Sequence, residues 1–339
     1  VAASWLAPPA LAQEVAPLTL QAAIERAVEA DPGLRAARAG VDAARGGLRQ
    51  ARVRPNPELS AEVENFNGRG DLRGMTGAES TFSLSQELEL AGQRSARIRL
   101  ADRELHGAEL DQVLRGLDLV RDVQGAYYDA LAAAELVTIA EERLRTAEEL
   151  NASVARRVAA ARDPVMAGAR AEAGVAEARI ALTRARAEAA TTRARLATYF
   201  GGEDGFTLIA ADFALPRAQD HEHAALTDAS PDVARLAAER DRQGASVRVE
   251  RSLAWQNPTL SFGYRRFEDR DGDGALVAGV SVPLGVFNRN QGSVARARAE
   301  ERRAELELEA GRRTLMREYA AVERAIAADA AAVQSTEDD

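Results

Sequence analysis

The chain has 339 residues, 46% hydrophobic but only 4% aromatic, with a formal net charge of −9 and no cysteine. The acidic balance argues against nucleic acid as a partner, and the lack of cysteine excludes disulfides, thiolate chemistry and Cys-based zinc sites. An alanine-rich composition with so few aromatic residues favours long helices with shallow seams over one large globular core.

Residues 1–12 are predicted to be the remnant of a secretory signal peptide. They are apolar and finish in Ala10-Leu11-Ala12, the small-x-small pattern of a signal-peptidase site. We therefore expect an exported protein. No stretch of the sequence reaches the ~18 consecutive apolar residues that a membrane-spanning helix requires.

Residues 13–200 are predicted to form a first structural unit, with strands at about 57–66 and 80–90 after a helical run. Apolar and polar residues alternate in both strands, a period of two that a helix cannot use. The apolar positions include Leu59, Val63, Phe82, Leu84 and Leu88, and the polar positions include Glu58, Glu62, Glu64, Glu87 and Glu89.

A long helical hairpin is predicted over about 92–200. Apolar residues recur at spacings of three and four along about 70 residues, which is a coiled-coil pattern. Asp163-Pro164 interrupts the pattern, because the residue before proline avoids helical dihedrals and proline readily begins a new helix. The second helix ends at Gly201-Gly202, and residues 201–229 are predicted to be an irregular connector.

Residues 230–339 repeat this order of elements, with strands at about 258–267 and 276–285. Arg54-Pro-Asn-Pro-Glu-Leu-Ser60 is echoed by Trp255-Gln-Asn-Pro-Thr-Leu-Ser261, and such self-similarity indicates a duplicated unit of helix, strand, strand and long helix. The second long helix, from about Gln291 to Val333, lacks the break and return helix of the first, so we expect this repeat to be C-terminally incomplete. Apolar positions in its strands include Leu260, Phe262, Tyr264, Val280 and Val282.

The four strands have the length and pattern of barrel strands in a membrane. About 10 residues let a tilted strand cross a bilayer, and alternation gives one lipid face and one wet face. We expect the ten apolar residues named above to face lipid and the five glutamates to face a water-filled lumen. Four strands cannot close a barrel, since the smallest have about eight, so several chains must share one. The alternative is a soluble protein with two surface hairpins packed on helices.

The sequence resembles the outer-membrane efflux proteins of the TolC type, and within them the heavy-metal (cobalt-zinc-cadmium and copper-silver) resistance branch. The likeness is carried by the tandem unit and by two strand-to-helix junctions, Gln86-Glu-Leu-Glu-Leu-Ala-Gly-Gln-Arg94 and Val282-Pro-Leu-Gly-Val-Phe-Asn-Arg-Asn-Gln-Gly292. The resemblance implies a mostly α-helical homotrimer whose strands form one outer-membrane β-barrel, continued by an α-helical tunnel across the periplasm. It also implies a periplasmic adaptor protein, which engages the turn at Arg162, Asp163 and Pro164, and an inner-membrane pump of the RND type.

Candidate chemistry in the sequence is sparse. Asp269-Arg-Asp-Gly-Asp-Gly274 matches the first half of a calcium loop, but position 12 is Val280, so we interpret the segment as a solvated extracellular loop. In His221-Glu222-His223 the two histidines do not face one way on a helix, and we interpret them as polar linker residues. Neither a nucleophile with its base nor a phosphate loop is found, so no enzyme activity, cofactor or metal site is predicted.

The sequence therefore predicts a passive exit duct of a tripartite efflux pump, located in the bacterial outer membrane and extending into the periplasm. Heavy-metal cations are the expected cargo. Two alternatives remain at this point: the same duct carrying drugs or secreted proteins, and a soluble periplasmic coiled-coil scaffold.

Overall fold

The computed structural model of the chain describes residues 17–75, 77–202, 205–209, 223–270 and 272–337. The predicted signal remnant, residues 1–12, lies outside these ranges. The helices are α1 (Leu20–Ala30), α2 (Pro32–Ala51), α3 (Gln93–Ala159), α4 (Val165–Thr198), α5 (His223–Ala229), α6 (Pro231–Ser252) and α7 (Gln291–Glu337). The strands are β1 (Pro17–Leu18), β2 (Glu58–Glu64), β3 (Glu79–Glu87), β4 (Thr207–Leu208), β5 (Thr259–Phe267) and β6 (Gly274–Ser281). Among the described helices, none combines the length and the apolar character needed to cross a membrane.

The chain divides into two units, one from Val1–Ala36 with Arg115–Pro216 and the other from Ala37–Leu114 with Arg217–Asp339. In the first unit, α1 packs against α3 and the end of α4 around a core rich in alanine. Alanine leaves little side chain between neighbouring helices and has the highest helix propensity, which suits a shallow seam. The core residues are Leu18, Ala23, Ala27, Leu119, Val123, Ala126, Tyr127, Ala130, Leu131, Leu196, Ala197 and Phe206.

Tyr127 anchors a small parallel pair of strands, β1 and β4, on α3. Its side chain is 1% exposed, and its hydroxyl oxygen lies 2.8 Å from the carbonyl oxygen of Ile209 and 3.0 Å from that of Leu18. Burial raises the pKa of the Tyr127 hydroxyl. The segment 201–229 was expected to be irregular, but it contains β4 and α5. Strand β4 forms because it pairs with β1, which is distant in the sequence.

Helix α4 runs antiparallel along α3 in the first unit. Three ion pairs between the two helices show how they are aligned: Arg179 with Glu148 at 3.2 Å, Arg186 with Glu141 at 2.8 Å, and Arg195 with Asp129 at 3.6 Å. These side chains are largely exposed, so each pair contributes about 0–1 kcal/mol at most. The apolar seam therefore carries more of the association than the ion pairs do.

The second unit contains a four-stranded sheet in the order β2-β3-β5-β6, antiparallel throughout. The central pair, β3 and β5, joins the two hairpins, and β2 and β6 are the edges. The β2–β3 and β5–β6 loops lie at one end of the sheet, which we call the loop end. The chain connects to α2, α3, α6 and α7 at the opposite end, which we call the helix end.

Helices α6 and α7 pack together in the second unit. Helix α6 begins after Ser230, whose hydroxyl accepts a hydrogen bond of 3.2 Å from the Asp232 N–H. This bond satisfies one of the backbone N–H groups that have no partner within the helix at its N-terminus. The contact surface again consists of small residues, and Gly311 permits a close approach, because a Cβ there would clash with Leu236 Cδ1. Buried residues of this contact include Ala238, Ala245, Ala297, Ala304 and Leu308.

Candidate functional site

One face of the four-stranded sheet, the apolar face, is formed by apolar side chains from all four strands. Because successive residues of a strand point to opposite faces, the antiparallel register aligns these side chains in rows across the sheet. Two complete rows are Leu59, Leu84, Phe262 and Ala278, and Ala61, Phe82, Tyr264 and Leu276.

The apolar face is open rather than packed against another element. Leu59 is 77% exposed, Phe262 60% and Leu276 90%. Such a continuous apolar area marks an interaction surface, because soluble monomers seldom expose patches beyond a few hundred Å². The ten residues predicted to face lipid are in phase with this face, with Leu88 and Val282 just beyond the ends of β3 and β6.

The opposite face, the polar face, carries carboxylates and hydroxyls. Glu58 and Glu62 are exposed there, opposite Ser85 and Thr81 of β3. Ser60 lies between these glutamates on the polar face, and its hydroxyl forms a hydrogen bond of 2.7 Å with the Ser83 hydroxyl on β3. Glu87 accepts a hydrogen bond of 2.7 Å from the side-chain amide of Asn257.

Arg265 on β5 brings two glutamates together at the loop end of the polar face. Its Nη1 lies 2.9 Å from Glu79 Oε2, its Nη2 lies 3.1 Å from Glu64 Oε2, and its Nε donates to Thr81 Oγ1 at 2.9 Å. One guanidinium therefore links three adjacent strands. The sequence pattern did not predict this cluster, although Arg265 is in phase with the polar positions of β5.

Glu89 does not join the exposed carboxylates of the polar face, contrary to the expectation from the sequence. It lies beyond the end of β3, its side chain is only 8% exposed, and its Oε1 is 2.6 Å from Arg97 Nη1. Arg97 also donates to the carbonyl oxygens of Ala51 and Val53 at the end of α2. The charge of Glu89 is thus neutralised inside the strand-to-helix junction.

The first junction, residues 86–94, is held by side-chain hydrogen bonds to distant carbonyl groups. Gln86 donates to the Pro55 carbonyl at 3.0 Å, and Gln93, which is 4% exposed, donates to the Trp255 carbonyl at 3.1 Å. Gly92 has a φ of 79°, a left-handed conformation that glycine adopts without steric cost. These bonds fix the direction in which α3 leaves the sheet.

The second junction, residues 282–292, repeats this geometry at its helix start. Gln93 Oε1 accepts from the Ala91 N–H at 3.0 Å, and Gln291 Oε1 accepts from the Arg289 N–H at 2.9 Å. The residue between each pair is left-handed, Gly92 in the first and Asn290, with φ 57°, in the second. Both helices therefore begin with the same side-chain-capped turn.

The turn between α3 and α4 is closed by an ion pair. The Arg162 N–H donates to the Arg157 carbonyl at 2.8 Å, while Ala161 is left-handed with φ 53°. Arg157 Nη2 lies 2.8 Å from Asp163 Oδ1, and the Asp163 side chain is 17% exposed. Arg162 and Pro164 are exposed. Of the three residues predicted to contact an adaptor, Asp163 thus has its side chain paired with Arg157 inside the turn.

The remaining candidate sites do not assemble a metal centre. Asp271 lies outside the described residues; next to it, the Asp273 N–H donates to the Arg270 carbonyl at 2.9 Å and closes a turn between β5 and β6. His221 and Glu222 lie outside the described residues, and His223 is described only as the first residue of α5. Across the described ranges, no group of three His, Asp or Glu is placed to hold a metal ion.

Comparison with known proteins decides the family. The family model described as "Outer membrane efflux protein" matches residues 23–202, which include α3, α4, β2 and β3. The cobalt-zinc-cadmium resistance protein CzcC of Cupriavidus metallidurans is 35% identical over 310 residues, covering 89% of this chain and 71% of CzcC. The chain belongs to the outer membrane efflux protein family.

Two further comparisons agree with this membership. The nickel and cobalt resistance protein CnrC of Cupriavidus metallidurans is 27% identical over 292 residues, covering 86% of this chain and 69% of CnrC. The outer membrane protein VceC of Vibrio cholerae has a similar fold, with a TM-score of 0.74 at 20% identity, covering 94% of this chain and 81% of VceC. The chain therefore has the mostly helical fold of the TolC type.

Family membership confirms the resemblance inferred from the sequence. The protein is an outer-membrane efflux channel subunit that extends into the periplasm, and it is not an enzyme. Members of the family act as trimers with adaptor and inner-membrane pump proteins. The alternative of a soluble periplasmic scaffold is thereby excluded.

Proposed function

We propose that three copies of this chain form one outer-membrane duct through which divalent heavy-metal cations leave the cell. The observation that carries this proposal is the two-faced sheet, with an open apolar face and carboxylates on the other face. The cargo class is supported by relatives named for resistance to cobalt, zinc, cadmium and nickel. Drugs and secreted proteins are the competing cargoes.

The edges of the sheet support a barrel shared between copies. Unpaired strand edges are not tolerated in hydrocarbon, and four strands are too few to close on themselves, since the smallest membrane barrels have about eight. With four alternating strands per chain, β6 of one copy runs antiparallel to β2 of the next. Three copies then close a fully antiparallel barrel with the apolar face toward lipid.

In this arrangement the polar face lines the lumen. Threefold assembly turns Glu58, Glu62 and Glu87 into rings of carboxylates, which favour cations over anions. Transport through the duct is passive: the carboxylates concentrate cations near the wall, and no bond is made or broken. Glu89 has no part in this, because Arg97 neutralises it.

The partners in the proposed assembly are a second and third copy of this chain, a periplasmic adaptor and an inner-membrane pump of the RND type. The α3–α4 turn is the proposed adaptor contact. Its exposed groups include Arg162 and Pro164, and it is followed by Val165 and Met166, which are 79% and 66% exposed. Exposed apolar side chains next to a turn closed by an ion pair suit a protein contact.

We further propose that the chain is a tandem duplication, with repeat one at 13–200, a connector at 201–229 and repeat two at 230–339. The matching turns that start α3 and α7 support this organisation, because each places a glutamine side chain on the N–H two residues before it. The two hairpins of the sheet, β2–β3 and β5–β6, are the corresponding strands.

Ion selectivity tests the proposal directly. The channel purified from outer membranes and reconstituted in a planar bilayer should prefer cations, and Glu58→Gln, Glu62→Gln and Glu87→Gln combined should bring the cation-to-anion permeability ratio toward one. Glu29→Gln, an exposed position on α1, is the control and should leave the ratio unchanged. Anion preference in the unmodified channel would contradict the lumen assignment. A deletion strain sensitive to drugs but not to cobalt, zinc or cadmium would contradict the cargo.

A further inference from the structure

Four chain segments at the helix end of the sheet form a basic belt. They run from the strand ends through about two turns of the adjoining helices and cover residues 45–57, 88–100, 246–258 and 282–298. Together they contain 12 arginines and only two acidic residues, Glu89 and Glu250, although the whole chain has a net charge of −9. Positive charge is therefore concentrated where the sheet meets the helices.

Helix stability does not explain the whole belt. Arginine near the C-terminal ends of α2 and α6 complements the helix dipole, but α3 and α7 begin in the belt, and neither has an acidic residue in its first turn. Arg94 lies in the first turn of α3, where the helix dipole opposes a positive charge. An external anion would relieve this repulsion.

An open cleft of about 520 Å³ lies in the belt at the first junction. Its lining combines Arg54 and Arg94 with the apolar residues Leu88, Leu90 and Ile98. Leu88 and Leu90 continue the even-numbered phase of the apolar face beyond the end of β3, and they are 36% and 72% exposed. The cleft therefore joins basic side chains to the end of the apolar face.

Both arginines of the cleft lack a carboxylate partner among the described residues. Nε and Nη2 of Arg94 donate to the Arg52 carbonyl at 2.9 and 2.7 Å, which holds the guanidinium in place and leaves Nη1 available. Arg54 is exposed, and its guanidinium has no hydrogen-bond or ion-pair partner in the described part of the chain. The two guanidinium groups are thus available to an anion.

Two carboxylates also line the cleft but do not cancel its charge. Glu89 is paired with a third arginine, Arg97, at 2.6 Å. Glu87 belongs to the polar face, and its Oε1 accepts a hydrogen bond of 2.7 Å from the Asn257 side-chain amide. With Arg97 included, the arginines outnumber the carboxylates, so the cleft keeps a positive charge beside apolar surface.

We propose that this cleft binds an anionic phospholipid of the periplasmic leaflet, with the phosphate against Arg54 and Arg94 and the acyl chains along Leu88 and Leu90. The inference rests on the proposed function, in which the apolar face is turned toward lipid. The helices extend into the periplasm, so the helix end lies at the headgroups of that leaflet. Basic residues beside a membrane span attract anionic headgroups, and arginine binds phosphate through two parallel N–H groups.

Lipid binding by the protein purified from outer membranes in mild detergent tests this inference. Native mass spectrometry should show phosphatidylglycerol bound more tightly than phosphatidylethanolamine with the same acyl chains. Because each arginine at a membrane surface contributes about fivefold in affinity, Arg54→Gln should weaken phosphatidylglycerol binding about fivefold and Arg54→Gln/Arg94→Gln about 25-fold. The matched control, Arg143→Gln/Arg170→Gln, removes the same charge at exposed positions of α3 and α4 and should leave the affinity unchanged.

Equal affinity for the two lipids, or unchanged phosphatidylglycerol binding in the double variant, would overturn the inference. Displacement of the lipid by an equal concentration of inorganic phosphate would show a site for free anions and would equally overturn it. If the double variant does not fold, Arg54→Gln alone decides, because the Arg54 side chain loses no bond to a described residue.

Conductance of the same preparation in planar bilayers tests the proposed function separately. A conducting channel without a preference for phosphatidylglycerol would contradict only the lipid site. An unmodified protein that does not conduct would contradict the proposed function itself.

Discussion

Gly263 and Gly279 lie on the same polar face but meet different neighbours. A Cβ on Gly263 would lie 2.7 Å from the Phe82 carbonyl oxygen and 2.9 Å from Ser83 Cβ, both on the adjacent strand β3. A Cβ on Gly279 would meet only the Ser261 hydroxyl, at 2.8 Å, and that hydroxyl can rotate away. The absence of a side chain is therefore required at Gly263 and incidental at Gly279.

This difference predicts unequal effects of alanine on stability at the two positions. Gly263→Ala forces β3 and β5 apart and should destabilise the protein by about 1–3 kcal/mol, as overpacking does. Gly279→Ala should change stability by less than about 0.5 kcal/mol, because strand propensity offsets the small adjustment of Ser261. Thermal unfolding of the purified protein measures both. Equal melting temperatures for the two variants would show that the close approach at Gly263 relaxes freely.

At the scale of the element, β3 presents two chemically different surfaces along its length. Its even positions Phe82 and Leu84 are more than half exposed on the apolar face, while Thr81 on the polar face is 8% exposed beneath Arg265. Gln86 interrupts the apolar phase, and its amide is satisfied by the Pro55 carbonyl at the helix end. A polar residue is tolerated in that row because its hydrogen bonds are internal.

The two faces of β3 predict different responses to a new charge. Leu84→Arg places a charge on the proposed lipid face and should cost about 2–4 kcal/mol near mid-bilayer, so less protein should reach the outer membrane. Ser83→Arg, on the polar face opposite Gly263, has room toward water and should be inserted normally. The amount of each variant in isolated outer membranes is the measurement. Equal amounts would remove the lipid assignment of the apolar face.

At the scale of the whole molecule, the open edges β2 and β6 require a neighbouring copy in the proposed barrel. Within one chain these edges are separated by three strand spacings, or about 14 Å. The sequence contains no cysteine, so introduced cysteines report contacts without interference. Ala61 on β2 and Ala278 on β6 are suitable positions, because both are small and lie on the edges.

The variant Ala61→Cys/Ala278→Cys should form covalent dimers and trimers when treated with a thiol cross-linker shorter than about 10 Å, since the edges of adjacent copies lie about 5 Å apart. Non-reducing gel electrophoresis of outer membranes detects these species. Ala61→Cys alone is the matched control and should remain a monomer. Cross-linked products confined to single chains would contradict closure between β2 and β6.

The strands, the long helices, the break at Asp163-Pro164 and the two faces of the sheet were all predictable from the sequence. These features depend on local periodicity and on the backbone limits of proline, which a single sequence displays. Which carboxylates are paired with arginine depends on the folded structure. Glu89 is neutralised by Arg97, Glu64 and Glu79 share Arg265, and β4 finds β1, each through a partner on another element. Periodicity assigns a side chain to a face, but its neighbours across strands and helices are fixed by register and packing, and those arise only when the chain folds.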